Sequence, residues 1–226
     1  MFRPLTAWIN RTHPISSRFY TPGYVDKPQN DWSVWLSIEE VAPIHQANEM
    51  NWIGLMESRK KTTEYLKDSA ELICGLEGGW LDREEREWIL DKLGAPPLPS
   101  LPIYLITCSE NGKEELVYVG KTENTSRFNG GHTAALKLHA PEYAKKEKKI
   151  YRSTAWFHND NEYISLDWVQ PQQLAVDLLD SIESHLIYSF KPPLNSAKKK
   201  SKCAKWDFYI HIQNFLDDGF LNDTFI

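Results

Sequence analysis

Residues 94–102, Gly94-Ala-Pro-Pro-Leu-Pro-Ser-Leu-Pro102, put four prolines into nine positions. Proline lacks a backbone amide proton and pushes the residue before it out of helical geometry. The stretch therefore cannot continue a helix and reads as an extended connector. It also separates two regions whose apolar residues repeat with different periods, so the chain should not fold as one repeating pattern.

The stretch before the connector reads as mostly helical. Ser37-x-x-Glu40 has the form of a capping box, with Pro43 soon interrupting any helix it starts. From Met50 to Leu76, apolar and aromatic residues at Ile53, Met56, Tyr65, Leu66, Leu72 and Ile73 surround the charged run Glu57 to Lys61. Asp82 is placed to cap a helix through Leu93, with Trp88, Ile89 and Leu93 on one side. Trp8, Trp32, Trp35, Trp52, Trp80 and Trp88 are apolar cargo that would pack this region or cover the next one. Residues 1–100 carry no catalytic signature. They are expected to form an accessory region serving recognition, dimerisation or the covering of a second domain.

After the connector the period becomes that of strands. Ile103 to Cys108 and Leu116 to Val119 read as a hairpin around the turn signal Asn111-Gly112, with a loop somewhat longer than two residues. A helix is expected between Arg127 and His139, its start delayed by Asn129-Gly130-Gly131. Ile150 to Phe157 and Tyr163 to Val169 read as two more strands. Pro171 then opens a helix that reaches Phe190 and is ended by Lys191-Pro-Pro. The order β-β-α-β-β-α over residues 101–205 is too antiparallel for a dinucleotide-binding sheet. The fold class is α+β, and residues 206–226 form an acidic tail.

The net charge of −5 would by itself argue against a phosphate-backbone partner. By segment, residues 1–100 hold 11 basic and 15 acidic residues, residues 101–205 hold 15 and 12, and the tail holds four aspartates and no lysine or arginine. The basic excess thus lies in the middle segment. Lys198, Lys199, Lys200 and Lys202 form a run, and Lys145, Lys146, Lys148 and Lys149 a second group. Both are candidates to track a nucleic-acid backbone, against the plainer reading of a solvated charge run.

Cys74, Cys108 and Cys203 are odd in number and widely spaced with no C-x-x-C pair, which argues against a disulfide framework or a structural zinc site and points to a reducing, cytoplasmic compartment. Arg3, Arg11 and Arg18, with no acid among the first 25 residues, have the sign of a mitochondrial presequence. Pro4 and Pro14 interrupt the amphipathic helix such a segment needs, so a basic, aromatic N-terminal arm is the preferred reading. No run approaches the roughly 18 apolar residues of a membrane span.

The most informative residue lies on the helix from Pro171 to Phe190. At about 100° per residue, Val176, Leu179, Leu186, Ile187 and Phe190 all fall within about 60° of Glu183. Asp177, Ser181, Ser184, His185 and Tyr188 lie elsewhere on the wheel. A carboxylate in the middle of an apolar stripe must be protonated, paired with a cation or bound to a metal. Shortly after comes Pro192-Pro193-Leu194-Asn195, a stiff loop carrying one amide side chain.

The series Pro102-Ile103-Tyr104, Tyr118-Val119-Gly120-Lys121-Thr122, Arg127, His132, Glu183 and Asn195 resembles the GIY-YIG nuclease family over residues 102–198. Pro102 stands in place of the glycine that names the first motif, and Val119 in place of the isoleucine of the second. The six polar positions used by the family are filled. The resemblance implies a small domain with a three-stranded antiparallel sheet between helices, and hydrolysis of phosphodiesters with one divalent ion, Mg²⁺ or Mn²⁺. It implies Glu183 as the metal ligand and Arg127 as the residue that holds the scissile phosphate. Tyr104 or Tyr118 would activate or position water, His132 would relay a proton, and Asn195 would anchor the helix end and a tyrosine. Lys121 is either a phosphate contact or a solvent-facing lysine. The expected partner is double-stranded DNA, with a homodimer as one way to cut both strands. The expected setting is restriction, phage defence or a mobile element. The rivals are a non-catalytic nucleic-acid-binding or interaction module on the same fold, and a repair nuclease selecting substrate shape.

Overall fold

Val34, Leu36 and Ile38 are all buried, at every second position of an eleven-residue strand, β1 (Ser33–Pro43), in the computed structural model of the chain. This corrects the helix start expected at Ser37-x-x-Glu40. The period-two burial of these residues outweighs a local capping pattern once strands lie on both sides. The structure describes residues 4–15, 33–50, 53–75, 79–122, 136–159, 162–169, 171–201 and 203–226.

The remaining strands are β2 (Ile103–Glu110), β3 (Lys113–Lys121), β4 (Glu147–Asn159), β5 (Glu162–Ser165), β6 (Tyr209–Asn214) and β7 (Thr224–Phe225). They form one seven-stranded mixed sheet in the order β3-β2-β4-β1-β6-β7, with β5 paired to β4. Among the described residues only the β1–β6 pairing is parallel. The expectation of a three-stranded antiparallel sheet is therefore corrected. β2, β3 and β4 are antiparallel, but β1 extends the sheet beyond them and the acidic tail supplies β6 and β7. The tail is also fastened by Asp218, whose carboxylate lies 2.6 Å from the buried Tyr151 hydroxyl.

The hairpin loop is two residues long rather than longer, because Asn111 and Gly112 both adopt positive φ, 55° and 78°. That geometry matches the twist of the flanking strands and favours these two residue types. A second correction concerns Tyr163 to Val169. The strand ends at Ser165, and Leu166–Trp168 form a short 3₁₀ turn.

Four helices are described: α1 (Pro4–Ile9), α2 (Leu55–Leu72), α3 (Arg83–Leu93) and α4 (Gln172–Phe190). The α3 start agrees with its sequence signal, since Asp82 and Glu85 form a reciprocal capping box with bonds of 2.8 and 2.7 Å. Lys191 closes α4 with φ 49°. The helix expected between Arg127 and His139 lies mostly outside the described residues. Among the described residues no helix is long and apolar enough to cross a membrane, and the three cysteines are free thiols.

Three apolar clusters hold these layers together. Leu178, Ile182 and Leu186 of α4 pack on Leu36, Ile38, Leu105, Val119 and Phe157 on one sheet face. Tyr104, Ile106, Cys108 and Ile150 face the other side, against Leu138, Tyr143 and Leu194. Leu5, Trp8, Tyr65, Leu66 and Ile89 join α1, α2 and α3. Trp8 is buried as expected, but Trp80 and Trp88 are exposed, and Trp32 and Trp52 lie outside the described residues.

The proline connector is pinned rather than loose. Ser100 donates from its amide and its hydroxyl to Asp167, at 3.0 and 2.5 Å.

Candidate functional site

Strand β3 is an edge of the sheet, and its last residues gather side chains from four parts of the chain. Tyr104 of β2 pairs across the ladder with Gly120, and its ring stacks on Tyr118 at 6.0 Å between centroids, 27° between planes. Tyr104 is fully buried while Tyr118 is half-buried. Gly120 makes this possible, because a Cβ at that position would lie 2.3 Å from atoms of the Tyr104 ring. The glycine of the second motif is thus required for close approach rather than for an unusual φ.

Asn195 anchors the outer edge of β3. Its side-chain oxygen accepts from the Val119 amide at 2.9 Å, and its amide nitrogen donates to the Val119 carbonyl at 2.8 Å. The side chain copies the bonding of a neighbouring strand, and Leu194 adds a backbone bond to Val117 at 3.0 Å. The Pro192–Asn195 loop therefore satisfies an edge that would otherwise be an open template for pairing.

A charged cluster lies on the α4 side. Lys198 donates to Asp180 and to Glu183, at 2.8 Å each, and Lys121 reaches Asp180 at 3.2 Å. Of the three states open to Glu183, the structure shows pairing with a cation. The side chain of Glu183 is 14% exposed and that of Lys198 is 18% exposed. Burial alone would lower the Lys198 pKa, but its hydrogen bonds to Asp180 and Glu183 outweigh this and hold it above the ordinary lysine value. Burial likewise opposes ionisation of Asp180, yet Lys198 and Lys121 hold its pKa below the ordinary value.

The helical wheel needs correction here. The buried arc of α4 centres on Leu178, Ile182 and Leu186, while Val176, Glu183 and Phe190 stand half-buried at its border. Ser181, Ser184 and His185 are buried although the wheel set them apart from the apolar stripe. The segment before β6 covers that flank, with the Trp206 carbonyl 3.0 Å from His185 Nε2 and the Trp206 amide donating to Ser181 at 3.2 Å. A wheel assumes one covered face, and α4 has two.

By strand alternation, Tyr104 and Tyr118 face away from α4, whereas Val119 and Lys121 face towards it. The tyrosine pair and the carboxylates thus flank β3 on opposite sides, and Asn195 spans the edge between them. Lys199 lies 3.4 Å from the Pro193 carbonyl and Lys200 is exposed. Arg127, His132 and Lys202 lie outside the described residues.

Two residues escaped the sequence reading. Asp180 shares Lys198 with Glu183, and the signal was its i, i+3 spacing on one helix. Arg152, opposite Tyr104 on β4, is fully buried and bonded to Glu40 at 3.2 Å, tying β4 to β1. Burial lowers its pKa to about 10, with Glu40 opposing.

Glu183 offers hard carboxylate oxygens of the kind Mg²⁺ and Mn²⁺ prefer, and the position already draws a cation, the Lys198 ammonium. Among the described residues no group of three or more His, Cys, Asp or Glu side chains is placed to hold a metal ion, so Glu183 would supply one carboxylate and leave the rest of an ion's shell to water and substrate. Comparison with family models, with curated proteins and with solved structures finds no match.

Proposed function

We propose that the chain is a metal-dependent endonuclease that hydrolyses DNA phosphodiester bonds, with Mg²⁺ or Mn²⁺ as its ion. One observation carries the reading: residues 118–121 of β3 collect Tyr104, Asn195 and, through Lys121 and Asp180, the Lys198–Glu183 pair. Of these, Tyr104, Tyr118, Lys121, Glu183 and Asn195 belong, in this chain order, to the series that resembles the GIY-YIG nucleases.

The described side chains then have tasks consistent with their surroundings. When bound at Glu183, the divalent ion supplies positive charge to the phosphate and its leaving oxygen. Tyr118 is the more accessible tyrosine and positions the attacking water, while Tyr104, buried behind it, braces the ring. Asn195 fixes Val119 and so the neighbouring Tyr118. Arg127 holds the scissile phosphate as a planar cation, and His132 relays a proton, both by the resemblance alone. With one such site per chain, cutting both strands takes a homodimer or two encounters.

The test is incubation of supercoiled plasmid with the protein in Mg²⁺, in Mn²⁺ and in EDTA. Wild type should nick or linearise the plasmid with either ion and not in EDTA. Glu183→Ala should lose cutting by about a thousandfold or more. Absence of cutting across varied DNA would sink the reading, and equal cutting by Glu183→Ala would remove the role of Glu183. A non-catalytic module would bind DNA without cutting it in any ion.

A further inference from the structure

We infer that Glu114, Tyr151 and Asp218 form a proton-gated latch: one shared proton fastens the loop between β6 and β7, residues 215–223, to the sheet, and its loss as pH rises loosens that loop.

The three groups come from distant parts of the chain. Glu114 lies on β3, Tyr151 on β4 and Asp218 in the loop after β6. Tyr151 is fully buried, and its ring stacks on Phe220 of the loop with 4.8 Å between centroids. Its hydroxyl oxygen lies 2.6 Å from Asp218 Oδ2 and 2.9 Å from Glu114 Oε1, and Thr107 Oγ1 lies 2.5 Å from that same Glu114 oxygen. Three oxygen pairs are thus at hydrogen-bond distance, and each needs a proton of its own. Thr107 and Tyr151 bring one proton each, and two ionised carboxylates would bring none. The cluster is one proton short unless a carboxyl keeps its own.

Asp218 is the carboxyl that gives its proton up. Burial opposes its ionisation, yet the Tyr151 hydroxyl, the Phe220 amide, the Asn214 side chain and Lys149 hold its pKa below the ordinary value. Burial, together with the two neighbouring carboxyls, pushes the Tyr151 pKa up, so the phenol keeps its proton and donates it to Asp218. The third proton then belongs to Glu114, which donates it to the Tyr151 oxygen. Lys149 lies 3.6 Å from the other Glu114 oxygen and favours the charged form, while Asp218 across the phenol opposes it. The Glu114 side chain is 18% exposed, so its proton can reach water.

Loss of that proton removes a hydrogen bond and sets a second negative charge beside the phenol oxygen. The effect falls on Asp218, around which the loop is built. The other Asp218 oxygen accepts from the Asn214 side chain at 2.8 Å and from the Phe220 amide at 3.2 Å. Leu216, Phe220 and Leu221 of the same loop pack on the main apolar cluster, so a loosened loop uncovers apolar surface there.

The experiment is hydrogen–deuterium exchange of the full chain, read by mass spectrometry from about pH 5 to about pH 9 and expressed as protection relative to the intrinsic rate at each pH. The folded loop holds a proton that it gives up as pH rises. Protection of residues 215–223 should therefore be full at the acid end and fall about tenfold toward the alkaline end. Glu114→Gln, whose amide keeps a donor beside the Tyr151 oxygen at every pH, should hold the acid-side protection throughout. Tyr151→Phe should lower protection about tenfold at the acid end and remove the pH dependence. Asp167→Asn, which removes another buried carboxyl, should leave the fall in place. Wild-type protection that does not change with pH overturns the latch. So does a fall that persists in Glu114→Gln, one that disappears in Asp167→Asn, or a Tyr151→Phe loop as protected as that of wild type. Glu114→Gln, at a partly exposed position, decides the matter even where Tyr151→Phe does not fold.

Discussion

Asp167 and Glu183 are both carboxylates drawn largely out of water, and the protein treats them in opposite ways. Asp167 is almost completely buried and is met by neutral donors, the Ser100 amide and hydroxyl. Burial, only partly offset by those bonds and by Arg59, raises its pKa to about 6. Glu183 lies at the border of the buried arc of α4 and is met by a lysine that also reaches water. The first arrangement pins the proline connector to the turn after β5. The second pairs the charge with a cation at a partly exposed border of the helix. Burial by itself therefore does not mark a functional carboxylate. What separates the two is the kind of partner, neutral hydrogen-bond donors at Asp167 and a cation at Glu183.

The contrast can be broken by substitution. Asp167→Ala should destabilise the protein by about 3 kcal/mol in urea unfolding, because it leaves the buried Ser100 amide and hydroxyl without their acceptor. Glu183→Gln should lose no more than about 1 kcal/mol, since its partner is reached by solvent. Equal losses at the two sites would erase the distinction.

The pH dependence sharpens it. The folded-state pKa of Asp167 stands near 6, above the value of about 3.9 expected for an unfolded aspartate. Between those values the folded state binds more protons, so the Asp167 contribution is full at low pH and is lost as pH rises from about 4 to about 6. The size is about 2–3 kcal/mol. Asp180, held low by its lysines, works in the opposite direction, its contribution present at higher pH and lost on acidification. Unfolding of wild type and Asp167→Asn across pH 4 to 7 should therefore diverge, and parallel profiles would contradict the buried, proton-binding role.

On the tyrosine side, Gly120→Ala should cost about 2 kcal/mol in stability and displace the Tyr104 ring, because neither backbone nor buried ring has room for a methyl group. Near-ultraviolet circular dichroism should register the change. An unchanged spectrum and stability would mean that the close approach carries no weight. The smallest effect is expected for Lys205→Ala. The ion pair of Lys205 with Asp177 has a largely exposed lysine, and its loss should change stability by less than about 0.5 kcal/mol.

Several elements were legible without coordinates because their signals are local. The capping box of α3, the hairpin at Asn111-Gly112 and the extent of α4 depend on neighbours a few residues apart. β1 was not legible. Ser37 and Glu40 match a helix cap, and the alternation of Val34, Leu36 and Ile38 outweighs that cap only when β4 and β6 lie on either side. The anomaly of Glu183 could be read from its wheel position, but its partner could not. Lys198 is 15 positions away, beyond a Pro-Pro loop, and reaches back through a left-handed residue that no local pattern specifies.

The chain alone determined the α+β composition, the break at the proline connector, the segregation of basic charge and the ordered set of polar residues around two tyrosines. These follow from short-range sterics and periodicity, which are written residue by residue. Only the tertiary structure decided that strands before the connector and in the tail complete the sheet, that α4 is covered on two flanks, and that Glu183 shares a lysine with Asp180. Burial and charge pairing depend on what covers a surface, and that cover comes from distant parts of the chain.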